Sequence, residues 1–95
     1  MRLTDNFRKE EFDSKDGACM PNDVLNNIAE LAKNVQIIHN YVGVPLTINS
    51  GYRSPSHNKK VGGVTNSYHV QGKASDLASK QITPKKLYDA ILNLS

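Results

Sequence analysis

The segment DVLNNIAELAKNVQIIHNYVGVPLTINS, residues 23–50, contains a helical and then an extended pattern. In residues 23–42, apolar side chains recur at alternating steps of four and three, which places them on one face of a helix. The members of this stripe are Val24, Ile28, Leu31, Val35, Ile38 and Val42. We therefore predict a helix packed on the core, with Asn22 or Asp23 as its N-cap and Gly43 at its end.

The second part of the segment, residues 44–50 (VPLTINS), is short and rich in β-branched residues, which predicts a strand. Pro45 falls at its first positions, where a missing N–H is tolerated. Residues 50–65 are predicted to form a loop with a helical turn after the proline at position 55. A second strand is predicted at residues 72–79. A last helix follows Thr83, its N-cap. The sequence thus predicts an α+β fold, a small antiparallel sheet packed with helices.

The composition is that of an ordinary soluble globular chain. The 95 residues are 38% hydrophobic and 22% charged, which predicts a single domain over residues 1–95. No apolar run approaches the roughly 18–20 residues that cross a bilayer, and no signal peptide is visible. The lone Cys19 has no second soft ligand nearby and is expected to be a partly buried small hydrophobe.

The formal net charge of +3 suits an anionic partner, either a cell-wall polymer or a nucleic acid. The basic pairs at residues 59–60 and 85–86 are not interleaved with the aromatic residues that a strand-stacking surface requires. A solvated face explains these lysines as well. The sequence therefore predicts no nucleic-acid partner.

The segment SYHVQGKASDL, residues 67–77, contains a histidine and an aspartate whose chemistry suits a metal ion. In one uninterrupted strand His69 and Asp76 would project to opposite faces. Gly72 interrupts the segment, so the chain can turn and bring both side chains to one point. Imidazole nitrogen and carboxylate oxygen are both good zinc ligands. Two residues are a weak motif, and on the spacing alone a loop histidine with a turn-forming aspartate is the better explanation.

Longer motifs surround this pair: SGYRSPSHNKKVGG at residues 50–63, SYHVQGKASDL at residues 67–77, and FRKEEF at residues 7–12. Together they resemble the zinc-dependent peptidoglycan peptidases, which include D-Ala-D-Ala carboxypeptidases, L-alanyl-D-glutamate endopeptidases and phage endolysins. The resemblance runs from about residue 3 to the end of the sequence and implies the Hedgehog-like fold of that family.

Carried over residue by residue, the resemblance implies that His69 and Asp76 are two of three ligands of a Zn²⁺ cofactor. It implies that Arg53 contacts the substrate and stabilises the developing oxyanion, a role that suits its fixed charge and planar fork. Ser67 is implied to bind substrate or to orient the loop. The alternatives are a surface ion pair for Arg53 and an ordinary turn position for Ser67.

A catalytic zinc needs a third protein ligand, and none is evident. In the family it is a histidine on a later strand, accompanied by an acidic general base, but no histidine follows Asp76. His57 and His39 do not match that position, and Asp89 falls on the predicted last helix.

We expect the last strand or strands of the fold to be missing. The sequence is then a fragment, or the strand comes from elsewhere, or catalysis is lost. An open sheet edge would also permit a homodimer.

The sequence therefore predicts a zinc metallopeptidase domain that hydrolyses peptide bonds of bacterial peptidoglycan, as a DD-carboxypeptidase or an L-Ala-D-Glu endopeptidase. Its partner would be the peptidoglycan stem peptide. Like an endolysin, it would degrade the cell wall after release from the cytoplasm. Whether it is an enzyme stays open, and the alternative is a non-catalytic cell-wall-binding module that retains the fold. A nucleic-acid-binding domain is a third hypothesis.

Overall fold

A computed structural model of the chain describes residues 1–64 and 67–94. Its elements follow one another as a 3₁₀ helix Lys9–Phe12, α1 Asn22–Val42, β1 Thr47–Ser50, α2 Pro55–Lys60, β2 Asp76–Ala78 and α3 Pro84–Leu94. Helix α1 packs against α3 and against the 3₁₀ helix, which also contacts β1. The predicted α+β class is confirmed.

Helix α1 follows the predicted stripe. Val24, Ile28 and Val35 of the stripe are buried, its other three members are partly buried against the core, and Ala32, which was not predicted, is also buried. Its end at Gly43 is confirmed, since this glycine adopts φ 69° and its N–H donates to the carbonyl of His39 at 3.0 Å. The predicted N-cap was wrong by one position, because Pro21 is the N-cap and Asn22 is already helical. Pro21 has no side-chain acceptor, so the helix begins without a side-chain cap.

The sheet contains strands β1 and β2, which pair in antiparallel fashion. Both are shorter than the predicted strands 44–50 and 72–79. Pro45 lies before β1, and residues 68–72 form a turn that delays the start of β2. In the register, Ile48 lies opposite Leu77, and after an irregularity Ser50 lies opposite Asp76. This register places the residues that follow Ser50 beside the segment 67–76.

The chain forms two further short elements around β1. The turn predicted after Pro55 is α2, whose N-cap Ser54 accepts a hydrogen bond from the N–H of His57 at 3.1 Å. Residues 65 and 66 of the predicted loop lie outside the described residues. The 3₁₀ helix was not predicted. Its Phe12 is fully buried, so the N-terminal segment is anchored in the core.

The core is formed by apolar side chains of α1, the 3₁₀ helix, β1 and α3. Its largest fully buried members are Phe7, Phe12, Ile28 and Val35. The predicted N-cap of α3 is confirmed, because Thr83 Oγ1 accepts from the N–H of Lys86 at 3.2 Å. Cys19 is exposed, which corrects the expectation that it is partly buried. Among the described residues, none of the helices combines the length and apolar character needed to cross a membrane.

Candidate functional site

The turn at residues 68–72 and the start of β2 bring His69 and Asp76 together. His69 Nε2 lies 3.7 Å from Asp76 Oδ2. The His69 side chain is 14% exposed, whereas that of Asp76 is 59% exposed. The pair therefore lies at the surface, with the imidazole set into the protein and the carboxylate open to solvent.

The orientation of His69 is determined by three hydrogen bonds. Its Nδ1 lies 2.8 Å from the carbonyl oxygen of Gly51, and its own carbonyl accepts from the N–H of Arg53 at 3.1 Å. Its N–H donates to Ser67 Oγ at 3.1 Å. Because a carbonyl can only accept, Nδ1 carries the ring proton, and the lone pair of the neutral ring is on Nε2. That lone pair is on the nitrogen nearest to Asp76.

Two glycines allow the close approach of backbone segments around this histidine. A Cβ on Gly51 would lie 2.7 Å from the Cα of Phe12. Gly72 adopts φ 73°, and a Cβ there would lie 2.8 Å from Val24 Cγ1. The predicted turn at Gly72 is therefore confirmed, and the turn packs directly on α1.

Arg53 is directed to the same point. Its Nη2 lies 3.9 Å from Asp76 Oδ2, and its Nη1 donates to Asn58 Oδ1 at 3.1 Å. Asn58 is buried and donates from Nδ2 to the carbonyl of Val64 at 2.7 Å. A Cβ on Gly63 would lie only 2.0 Å from Asn58 Oδ1. The loop after α2 thus packs against the asparagine that holds the guanidinium, and this role of Asn58 was not predicted.

Ser67 is buried and orients the loop, because its Oγ accepts the His69 N–H. Orienting the loop is one of the two roles that the resemblance implies for Ser67. Contact of Ser67 with substrate stays a prediction.

The other candidate residues lie in different surroundings. His57, in α2, lines a groove of 470 Å³ with Lys15 and other residues. The ring of His39 packs edge-on against that of Phe7, with ring centroids 5.8 Å apart. Asp89, on α3, pairs with Lys85. Within residues 1–64 and 67–94, no three His, Cys, Asp or Glu side chains are grouped so as to hold a metal ion.

Asp16 ties the N-terminal segment to the residue that follows Arg53. Its carboxylate accepts from Ser54 Oγ at 2.6 Å, from Ser14 Oγ at 2.7 Å and from the Ala18 N–H at 3.1 Å. The hydrogen bonds from Ser54 and Ser14, in that order, lower the pKa of Asp16 to about 2. This network was not predicted, and its only sequence signal is the short SKD run at residues 14–16.

The distance between the two candidate ligand atoms can be compared with zinc geometry. Ligand atoms at about 2.0–2.2 Å from a tetrahedral ion lie roughly 3.4 Å apart. His69 Nε2 and Asp76 Oδ2, at 3.7 Å, need to move by only a few tenths of an ångström. The pair fits half of a zinc site.

Comparison with known proteins identifies the family of the chain. The family model of the M15 peptidases matches residues 3–93, and the chain belongs to the peptidase M15 family. The resemblance seen in the sequence is thereby confirmed. A stretch of 35 residues is 49% identical to the zinc D-Ala-D-Ala carboxypeptidase of Streptomyces albus G. That stretch is 37% of this chain and 14% of the relative.

Proposed function

We propose that residues 1–95 form one metallopeptidase domain that uses zinc to hydrolyse peptide bonds of bacterial peptidoglycan. The observation that carries this proposal is the convergence of His69 Nε2 and Asp76 Oδ2 at 3.7 Å, with the guanidinium of Arg53 beside the same carboxylate. Membership of the M15 family supports the reaction class. The name of the relative, a zinc D-Ala-D-Ala carboxypeptidase, favours carboxypeptidase over endopeptidase activity.

In this proposal His69 and Asp76 hold the metal. When bound, zinc supplies a Lewis acid for the scissile carbonyl and lowers the pKa of coordinated water toward about 7. The described residues offer no third His, Cys, Asp or Glu side chain grouped with the pair. The remaining coordination positions are left to water, to substrate or to a donor outside the described residues, and no general base is assigned.

Arg53 binds the anionic part of the stem peptide. A guanidinium is always charged and matches a carboxylate in shape, which suits a peptide that ends in D-Ala. Asn58 occupies Nη1, while Nη2 faces the metal pair. The terminal carboxylate of the bound peptide would thus lie next to Asp76. The scissile peptide bond would then lie near the zinc ligands.

Hydrolysis of purified peptidoglycan by the full-length protein tests the proposal. We expect new amino groups to be released with zinc, to stop on chelation and to return when zinc is added back. His69→Ala and Asp76→Ala should abolish this release, whereas His57→Ala, away from the pair, should retain it. Free D-Ala among the products indicates a carboxypeptidase, and new L-Ala carboxyl ends indicate an endopeptidase. Release that is unaffected by chelation contradicts the proposal.

A non-catalytic cell-wall-binding module is the second candidate. It is favoured by the finding that the described residues group no third His, Cys, Asp or Glu side chain with His69 and Asp76. Sedimentation of the protein with insoluble cell wall, without any release of amino groups, would support this module against the enzyme. Binding to DNA that weakens steeply with salt, without binding to cell wall, would contradict both the enzyme and the cell-wall-binding module and would support a nucleic-acid-binding domain.

A further inference from the structure

We infer that Gly51 is a positioning residue for the His69 imidazole: its carbonyl selects the ring tautomer, and the 3₁₀ helix Lys9–Phe12 holds that carbonyl in place. The inference concerns the metal-free protein. Its consequence for zinc affinity rests on the proposed function.

His69 is hydrogen-bonded to the segment that follows β1 through both its ring and its backbone. The ring of His69 donates from Nδ1 to the Gly51 carbonyl at 2.8 Å, and its backbone carbonyl accepts from the Arg53 N–H at 3.1 Å. One bond holds the side chain and the other holds the backbone. The imidazole therefore cannot turn without breaking a contact to residues 51–53.

Gly51 itself is positioned by its contact with the backbone of Phe12. Its ideal Cβ position lies 2.7 Å from Phe12 Cα and 2.9 Å from the Phe12 carbonyl oxygen, both backbone atoms. The neighbouring Tyr52 N–H donates to that same oxygen at 2.8 Å. Since Phe12 is fully buried, its backbone is held by the core. Position 51 requires glycine for space, and the 3₁₀ helix sets where the Gly51 carbonyl lies.

The hydrogen bond to Gly51 determines which ring nitrogen of His69 is free to bind a metal ion. With the proton on Nδ1, the neutral ring has its lone pair on Nε2, the atom 3.7 Å from Asp76 Oδ2. A hydrogen bond to the far nitrogen also raises the basicity of a ligating histidine, and loss of such outer partners typically lowers metal affinity about 10–100-fold. Gly51 thus prepares His69 for a cation before one binds.

The test is ¹⁵N NMR of the His69 ring in the metal-free protein at a pH where the imidazole is neutral. We expect the wild-type ring to carry its proton on Nδ1. Gly51→Ala must displace the 51–53 segment or Phe12, so we expect a tautomer mixture and zinc affinity lower by about 10–100-fold, measured by competition with a chelating indicator. Gly43→Ala is the control for general destabilisation, because Gly43 has φ 69°, which strains an alanine, but caps α1 and would place no Cβ within 4 Å of a neighbour.

Three results would overturn the inference: a proton on Nε2 in the wild type, an unchanged tautomer and zinc affinity in Gly51→Ala, or an equal loss of affinity in Gly43→Ala. The wild-type tautomer is measured without any substitution, so the inference stays testable even if Gly51→Ala does not fold. A wild-type ring protonated on Nδ1 in a protein that takes up no zinc supports the role of Gly51 and overturns the proposed function.

Discussion

At the residue scale, Arg53 and Asp76 share one site but are proposed to do different work. In the proposed function Arg53 contributes charge for substrate, whereas Asp76 is a ligand of the metal. Arg53→Ala should therefore leave the zinc content of the protein unchanged and lower substrate affinity or turnover. Zinc content by atomic absorption and the kinetics of D-Ala release measure the two effects separately. Loss of zinc in this variant would show that the guanidinium supports the metal pair instead.

A second residue-scale prediction concerns Asp16, whose pKa is lowered from its ordinary value of 3.8 to about 2 by hydrogen bonds from Ser54 and Ser14. A lowered pKa in the folded state means that this carboxylate stabilises the fold above pH 3.8, and that its contribution is lost as the pH falls toward 2. Asp16→Asn should thus lower Tm at pH 6 by more than at pH 2.5.

Thermal unfolding of both proteins at the two pH values measures this difference. Asp5→Asn, at a highly exposed carboxylate paired only loosely with Arg2, is the control. An equal Tm difference at pH 6 and pH 2.5 would contradict the role given to the Asp16 charge.

Among the site residues, the sequence indicated those whose own chemistry is distinctive. The histidine, the aspartate and the turn-permitting Gly72 could be named from residues 67–77 alone. Gly51 could not be given its role, because the need for glycine comes from the backbone of Phe12, far earlier in the chain. Asn58 was also missed, since its contacts with Arg53 and Val64 depend on how α2 turns into the following loop.

At the element scale, the contact between the 68–72 turn and α1 is the link between the site and the core. Gly72→Ala places an L side chain at φ 73°, at a cost of about 1–2 kcal/mol, and also presses its Cβ against Val24. Gly62→Ala is the matched control, because Gly62 has φ 78° but no neighbour within 4 Å. Urea denaturation should show a larger loss of stability for Gly72→Ala than for the control. Equal losses would mean that packing on α1 contributes nothing.

The longer an element is, the more accurately its bounds could be predicted from the sequence. Helix α1 has an apolar stripe long enough to be recognised and was predicted to within one residue at each end, and the start of α3 directly after Thr83 was also predicted. The strands were predicted too long, because pairing stops where the partner ends and β2 has only the residues Asp76–Ala78. The 3₁₀ helix Lys9–Phe12 is too short to show a period and was missed.

At the scale of the whole molecule, strand pairing leads to a prediction of self-association. The sheet of the described residues has two strands, and exposed strand edges can pair with another chain. We predict a reversible homodimer, detected by sedimentation velocity as a sedimentation coefficient that rises with protein concentration. A single coefficient across the concentration range, at the value for a monomer, would contradict this prediction.

The central claim is that His69 and Asp76 together bind one zinc ion, and the most direct measurement is zinc binding by the purified full-length protein and its Asp76→Ala variant. Equilibrium dialysis at micromolar zinc, with Asp89→Ala as the control, compares loss of a ligand with loss of an exposed carboxylate on α3. The account predicts that zinc is retained by the wild type and by Asp89→Ala and lost from Asp76→Ala. Equal zinc retention by all three proteins would contradict it.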